Sequence, residues 1–316
     1  MQPYVAQRLL QGVVVVLIVT LTVFLSLNLL PGDPVIARQG TWSGADPAFV
    51  AELKRQMGLD RPIPERYVFW LANALRGDLG VSYITQEPVG LLISQKLPAS
   101  IELALAAFAL AMMLAIPAAI LAATHQGSWI DWAVTAFVTV GMAVPGFWLG
   151  IMLMLLFAVK LHWVPSVGYE QLASDPQGNV QHLALPALTL GLIIAAPIMR
   201  FMRSSLLEVM HQEYVTVARA KGLKESAILF RHQMRNAVLP TLTFVGLQFG
   251  TLIGGAVIIE WVFSWPGMGW LTVDGVFKRD YSVVQGTVTI IATAFVVLNL
   301  AIDLLYPYLD PRIRRA

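Results

Sequence analysis

The chain has 316 residues, of which 57% are hydrophobic and 13% charged, with a formal net charge of +2 and no cysteine. A soluble domain carries about 25% charged residues, so a chain this apolar must present much of its surface to lipid. The small net charge speaks against nucleic acid, and the missing thiols exclude disulfides and thiolate metal sites.

Six stretches are free of charge for long enough to cross a bilayer, which takes about 20 residues. The first lies between Arg8 and Asp33. Its apolar core, Leu9 to Leu30, is longer than the hydrophobic region of a signal peptide and ends in Leu30-Pro31-Gly32-Asp33-Pro34 rather than a small-x-small cleavage site, so it reads as a retained helix. A long polar segment follows, from Pro31 to Ser100. There Asp46 and Pro47 mark a capped helix start, and Arg66 to Leu75 has helical spacing. Short helices joined by Pro and Gly turns are expected, either as a cap over helix ends or as a partner surface.

The second span runs from Glu102 to about Ala123, the third lies between Asp131 and Lys160, and the fourth between Asp175 and Arg200. The fifth lies between Arg235 and Glu260, and the sixth between Asp280 and Asp303. Pro117, Pro145-Gly146, Pro186 and Pro197 sit in or beside spans, where neighbouring helices can satisfy the freed backbone groups. Gly246, Gly250, Gly254 and Gly255 give the fifth span a face of small residues, expected to pack closely, against a second subunit or within the chain. Trp129, Trp132, Trp148, Trp163, Trp261, Trp265 and Trp270 mostly fall near span ends, as an interfacial belt does.

Orientation follows from basic residues. Arg8, the segment between spans four and five (Arg200, Arg203, Arg219, Lys221, Lys224, Arg231, Arg235) and the ending Arg312, Arg314 and Arg315 share one side, which is therefore cytoplasmic, with both termini inside. The opposite short loops hold only Lys160, Lys278 and Arg279. In the long outer segment seven basic residues are balanced by seven acids.

The cytoplasmic segment between spans four and five is the richest in pattern. Helical propensity from Glu213 to Ala220 is interrupted by Gly222, a residue that readily ends a helix. After it Leu223, Ala227, Phe230 and Met234 recur at spacings of four, three and four, one helical face. Lys224, Arg231 and Arg235 lie off that stripe. Two readings fit these residues: an amphipathic helix resting on anionic lipid, or a docking surface for a soluble partner.

Val217-Ala218-Arg219-Ala220-Lys221-Gly222-Leu223, followed by Arg231-His232-Gln233-Met234-Arg235-Asn236-Ala237-Val238-Leu239-Pro240, resembles the cytoplasmic EAA loop of ABC importer permeases. More narrowly it is similar to the dipeptide, oligopeptide and nickel branch, and to its B-type subunit. Leu30-Pro31-Gly32-Asp33-Pro34, Gly77-Asp78-Leu79-Gly80-x-Ser82, Arg203-Ser204-Ser205, Phe263-Ser264-Trp265-Pro266-Gly267-Met268-Gly269, Arg279-Asp280-Tyr281, Val284-Gln285-Gly286 and Asp310-Pro311-Arg312-Ile313-Arg314 resemble the same branch in order, over nearly the whole chain. Thr216 stands where the generic pattern begins with Glu, and the Gly-to-Leu-Pro spacing is longer than the generic one; both are usual for the branch.

The resemblance implies an all-α membrane protein with six transmembrane helices in the type I ABC importer permease fold, both termini cytoplasmic, and an extended periplasmic loop after the first helix. Residues 1–30 would form the N-terminus and first span, 31–100 the external loop, and 101–316 the permease core with a coupling loop at 204–238. That loop, with Glu213, Tyr214, Ala218, Arg219, Ala220, Lys221, Gly222, Leu223, Arg231 and His232, would seat in a cytoplasmic ATPase, the two small alanines allowing close approach. The partners implied are a second permease, two ATPase subunits that bind ATP and magnesium, and an external substrate-binding protein. This chain has no Gly-x-x-x-x-Gly-Lys-Ser/Thr loop of its own and is expected to bind no cofactor. Dipeptides or short oligopeptides are the expected cargo, with nickel chelates and glutathione-like peptides as alternatives.

Other classes fit poorly. There is no His-Glu-x-x-His or Gly-x-Ser-x-Gly, and His125, His162, His182, His211 and His232 show no ligand spacing. A stand-alone secondary transporter predicts inverted repeats and midplane charges, and neither is evident. Glu102, Glu260 and Asp303 lie at span ends, where a carboxylate reaches water or another chain. Asn28, Gln248 and Asn299 could line a pathway or join helices.

Overall fold

The computed structural model describes residues 2–29, 55 and 60–309. The motifs Leu30 to Pro34 and Asp310 to Arg314, the helix start at Asp46-Pro47 and the basic ending lie outside the described residues. Among those described the structure is helical, apart from one isolated antiparallel bridge between Val81 and Pro88.

The helices in chain order are α1 (Gln2–Leu29), α2 (Ile63–Ala74), α3 (Val89–Thr124), α4 (Trp129–Ala143) and α5 (Gly146–Leu153, continued by a π-helical Met154–Lys160). They are followed by α6 (Pro176–Met210), α7 (Glu213–Ala220), α8 (Glu225–Ala227, continued by a π-helical Ile228–Gln233), α9 (Met234–Val262), α10 (Met268–Lys278) and α11 (Tyr281–Leu309). Four helices are long and apolar enough to cross a membrane: Ala6–Leu29, Val89–Thr124, Pro176–Met210 and Tyr281–Asp303. Two bent pairs, Trp129–Ala143 with Gly146–Lys160 and Glu225–Leu252 with Gly254–Val262, raise the number to six when each pair is one span.

The third expected span is thus not one straight helix: its halves meet at 108°. The cause is Pro145. The ring disfavours helical backbone in the preceding residue, and Val144 accordingly turns extended, at φ −80° and ψ 127°. Each half has 15 residues including the π-turn, about 22 Å at 1.5 Å per residue, and neither alone reaches across a hydrocarbon core of about 30 Å. By contrast Pro186 and Pro197 sit inside α6 without breaking it.

The chain divides into two units, Met1–Ser100 with Pro266–Val297, and Ile101–Trp265 with Leu298–Ala316. In the first unit Val89, Leu92 and Ile93 of α3 pack with Met268 and Leu271 of α10 and Val283 of α11. Gln285 donates from Nε2 to the Thr20 carbonyl at 2.9 Å, joining α11 to α1, and Thr20 shares a 2.9 Å hydrogen bond with the Tyr67 hydroxyl of α2. The buried Asp280, 3% exposed, gathers the segment ahead of α3. Its carboxylate accepts from Ser82 Oγ at 2.5 Å, from the amides of Tyr83 and Ile84 at 3.1 and 3.4 Å, and from the Val283 amide at 3.4 Å. The Gly77 to Ser82 and Arg279 to Tyr281 motifs are therefore two halves of one contact.

In the second unit α6 is the central helix, packed against α4, α5 and α9. Ala119 and Ala123 of α3, Met202 and Leu206 of α6 and Ala237 of α9 form one buried cluster, with Leu229 and Met234 packed on it. The small face of α9 serves two ends: a side chain at Gly246 would meet Ile302 of α11 at 2.8 Å, whereas Gly254 and Gly255 face open space. Trp129 and Trp132 are well exposed, as a belt requires, but Trp265 is fully buried with its ring edge-on to Tyr169 at 4.7 Å. Trp265 therefore belongs to packing and not to the belt.

Asp131 of α4, 6% exposed, takes a two-point ion pair from Arg203 of α6 at 2.6 and 2.7 Å, and the Gly127 amide completes its shell at 3.0 Å. Removing one member of such a pair strands the other charge. Asp131→Ala is expected to lower stability by about 3 kcal/mol, the low end for a buried pair because Arg203 is partly exposed, read as a lower unfolding temperature of the purified protein. Asp131→Leu combined with Arg203→Met should recover most of it, and a double variant no better than the single would remove the ion pair as the cause.

Candidate functional site

The segment between α6 and α9 folds into a small hairpin of helices. Gln212 is extended, at ψ 145°, and starts α7 at Glu213. The helix ends as the Lys221 amide bonds the Val217 carbonyl, the Gly222 amide the Arg219 carbonyl and the Leu223 amide the Ala218 carbonyl. Gly222 stands at φ +76° with nothing within 4 Å of where a Cβ would be. This is the left-handed conformation that side chains resist, so glycine is needed for its backbone and not for space. Lys224, extended again, starts α8 at Glu225.

Three contacts close the hairpin. Val215 and Ala218 of α7 pack on Ile228. Arg219 grips Glu225 through Nε and NH2 at 2.8 and 3.3 Å, reaching back over the glycine turn. The Glu225 carboxylate holds the Arg219 pKa above its ordinary value, through the hydrogen bond first and the charge second. Asn236 of α9 donates from Nδ2 to the Tyr214 hydroxyl at 2.9 Å and to the His232 carbonyl at 2.8 Å.

The ten expected loop residues fall into two groups. Glu213, Tyr214, Arg219, Ala220, Lys221, Gly222, Leu223 and Arg231 are exposed, and His232 is half-buried. Ala218 is buried at 7%. Its small side chain fits the hairpin's own interior, so of the two alanines only Ala220 is open to another molecule. The apolar stripe Leu223, Ala227, Phe230 and Met234 does not form one buried face. Leu223 precedes the helix, Phe230 is 63% exposed, and only Met234 packs on the buried cluster. Instead Ile228, Gln233 and Ala237 point inward. The turn between Ile228 and Gln233 is π-helical, and a turn closing on i+5 moves the inward face away from the 3.6-residue stripe. Val217, Leu223, Tyr214 and Phe230 are left as exposed apolar groups among Lys221, Lys224, Arg231 and Arg235.

Sequence reasoning missed Glu225, Asn236 and Gln233. Arg219 and Glu225 are six residues apart across a turn, a separation no helical period flags. Gly222 itself was the usable signal, since charges on either side of a reversal meet.

Elsewhere the polar residues in or near the spans are dispersed. Asn28 bonds the Phe24 carbonyl of its own helix at 2.7 Å. Glu102 accepts the Tyr169 hydroxyl at 3.4 Å, and burial, then the Glu102 charge, push the Tyr169 pKa up. Gln248 lines a cleft with Gly146, Phe147, Leu190, Ile193 and Thr251, beside the break in the third span. No group of three or more His, Cys, Asp or Glu residues that could hold a metal occurs among the described residues.

Glu225→Ala is expected to leave the unfolding temperature nearly unchanged, because an exposed ion pair contributes little. Amide exchange over residues 213–224 should rise several-fold as the hairpin opens locally. Unchanged exchange would mean the pair does not hold the turn.

Known proteins share this arrangement of sequence. The family described as binding-protein-dependent transport system inner membrane component matches residues 115–315, and the N-terminal family of the same transport system membrane components matches residues 1–104. A putative peptide transport system permease protein of Brucella abortus (strain 2308) is 41% identical over 314 residues, 99% of each chain. The glutathione transport system permease protein GsiC is 39% identical in Pectobacterium atrosepticum and 37% in Escherichia coli (strain K12), each over 98% of both chains. In fold, the chain is similar to an inward-facing form of the MetNI methionine ABC transporter, with a TM-score of 0.58 at 17% identity, covering 70% of this chain and 97% of that one. An amino acid ABC transporter crystallised with histidines gives a TM-score of 0.52 at 14% identity over 70% and 94%.

Proposed function

The chain belongs to the family of binding-protein-dependent transport system inner membrane components, and from that membership we propose how it shares the work of import. It is a multi-pass permease component of an ABC importer in the inner membrane. We assign it six spans, counting each bent pair once, with both termini cytoplasmic and half of a pathway shared with a second permease. Short peptides are its cargo, a reading supported by relatives named for peptide and glutathione transport.

The hairpin at 213–238 is the contact for a cytoplasmic ATPase. The observation that carries this is its construction. Val215, Ala218 and the Arg219–Glu225 pair make it a folded piece in its own right, while Val217, Ala220, Leu223 and Phe230 remain uncovered. Apolar groups exposed on a braced hairpin suit a protein cleft, which buries them; the surrounding positive charges suit an acidic rim. ATP and magnesium belong to the partner subunits, two in number. Their closure displaces the hairpin, and a loaded external binding protein favours one state of the permease by binding it better than the other.

The decisive measurement is ATP hydrolysis by the tagged chain copurified with its subunits in liposomes, with binding protein and a peptide panel. Peptide-dependent stimulation is expected. Copurified ATPase indifferent to every peptide would move the cargo to metal chelates, and no copurified ATPase would overturn the assignment. Gly222→Trp, which forces a side chain into a left-handed backbone at about 1–2 kcal/mol, should insert normally yet lose peptide-stimulated hydrolysis and uptake. Normal coupling in that variant would remove the hairpin from the mechanism.

A further inference from the structure

The helix that leads from the hairpin into the fifth span changes its hydrogen-bond register on the way. Between Ile228 and Gln233 it is π-helical, and the Met234 amide donates to the Leu229 carbonyl, five residues back. Such turns are rare inside α-helices and concentrate at functional sites. This one lies in the arm of the proposed ATPase contact that runs on into the fifth span.

The π-turn sets which side chains are buried. Ile228 is fully buried and Gln233 is 2% exposed. Five residues apart, they share a face only in this register; in an α-helix, at about 100° per residue, they stand about 140° apart. The positions beneath Ile228 in an α-helix are three, four and seven residues on, and here these are Arg231, His232 and Arg235. The π-turn keeps Arg231 and Arg235 in the open and turns Gln233 inward instead. Gln233 fits that position imperfectly, because its Nε2 is buried with no hydrogen-bond partner among the described residues. A buried donor without an acceptor is destabilising, and native proteins keep few of them. The α register would release Gln233 from the buried layer.

The hairpin is fastened on both sides of this turn. Arg219 of α7 holds Glu225 ahead of it, and Tyr214 of α7 holds Asn236 behind it. A change of register rotates Asn236 about the helix axis relative to Glu225 by about 100°. Helix α7 cannot keep both contacts through that rotation, so the position of α7 and the register of the turn are one mechanical variable.

We propose that residues 228–233 form a register switch that converts displacement of α7 into rotation of α9, with Gln233 as the positioning residue that keeps the π register only marginally favoured. The inference rests on the reading of residues 213–238 as the ATPase contact. When a partner moves α7, one brace is released and the turn passes to α-helix. Gln233 leaves the buried layer, and the span turns with it.

The test uses the complete transporter in liposomes, with binding protein and a transported peptide, comparing the wild type with Gln233→Met. Methionine has nearly the same shape, stays comfortably buried and has no donor to leave unpaired, so it locks the π register. In the wild type, amide exchange over residues 228–236 should differ between nucleotide-free and ATP-trapped states. In Gln233→Met that difference should vanish and uptake should fall about fivefold or more, with the ATPase still copurified. Wild-type uptake with nucleotide-dependent exchange in Gln233→Met, or nucleotide-independent exchange in the wild type, would overturn the switch. If either occurs while Gly222→Trp still uncouples, the hairpin contact stands and only the switch falls. Normal coupling in Gly222→Trp as well would take the contact down with it.

Discussion

A chain inside a bilayer has no water to satisfy its backbone, and every peptide group must find a partner within the protein. That constraint makes the described residues almost wholly helical, and it gives meaning to each place where the helix departs from regular form. The departures are few. Among the described residues they include the break at Val144-Pro145, the bend between Leu252 and Gly254, and the π-turns at Met154–Lys160 and Ile228–Gln233. Two of them are held by their surroundings: the break by the proline ring, and the turn at Ile228–Gln233 by a hairpin fixed on both sides at Glu225 and Asn236.

Charge follows the same logic. Two buried carboxylates, Asp131 and Asp280, are fully engaged. Asp131 meets a guanidinium two-point and one backbone amide, and Asp280 meets a hydroxyl and three backbone amides. They tie together segments far apart in sequence, one within each unit of the chain. The exposed pair at Arg219 and Glu225 does something different. It adds little to global stability but bridges the turn at Gly222.

Much of this was legible in the sequence, for identifiable reasons. Span positions follow from charge-free length, and four of the six expected helices appear unbroken, because hydropathy reports the cost of leaving water and nothing subtler. Pro145 was visible as a breaker, but a proline does not announce how far its helix will turn: Pro186 and Pro197 leave α6 intact. The interruption expected at Gly222 coincides with the end of α7. A period of 3.6 does not hold through the turn of longer period at Ile228–Gln233, so the inward position of Gln233, a polar residue off the stripe, has no signature in the sequence pattern. Contacts such as Ser82 with Asp280, 198 residues apart, have no local signature at all.

The break at Pro145 also alters what hydropathy means for this chain. A helix end leaves amides or carbonyls without intrahelical partners, and here two ends, Ala143 and Gly146, fall within one apolar stretch. Gly146 and Phe147 line the same cleft as Gln248. Polarity within an apolar stretch is thus supplied by main chain, which no side-chain scale counts. A chain with 13% charged residues can in this way wet part of its interior without placing a charge there.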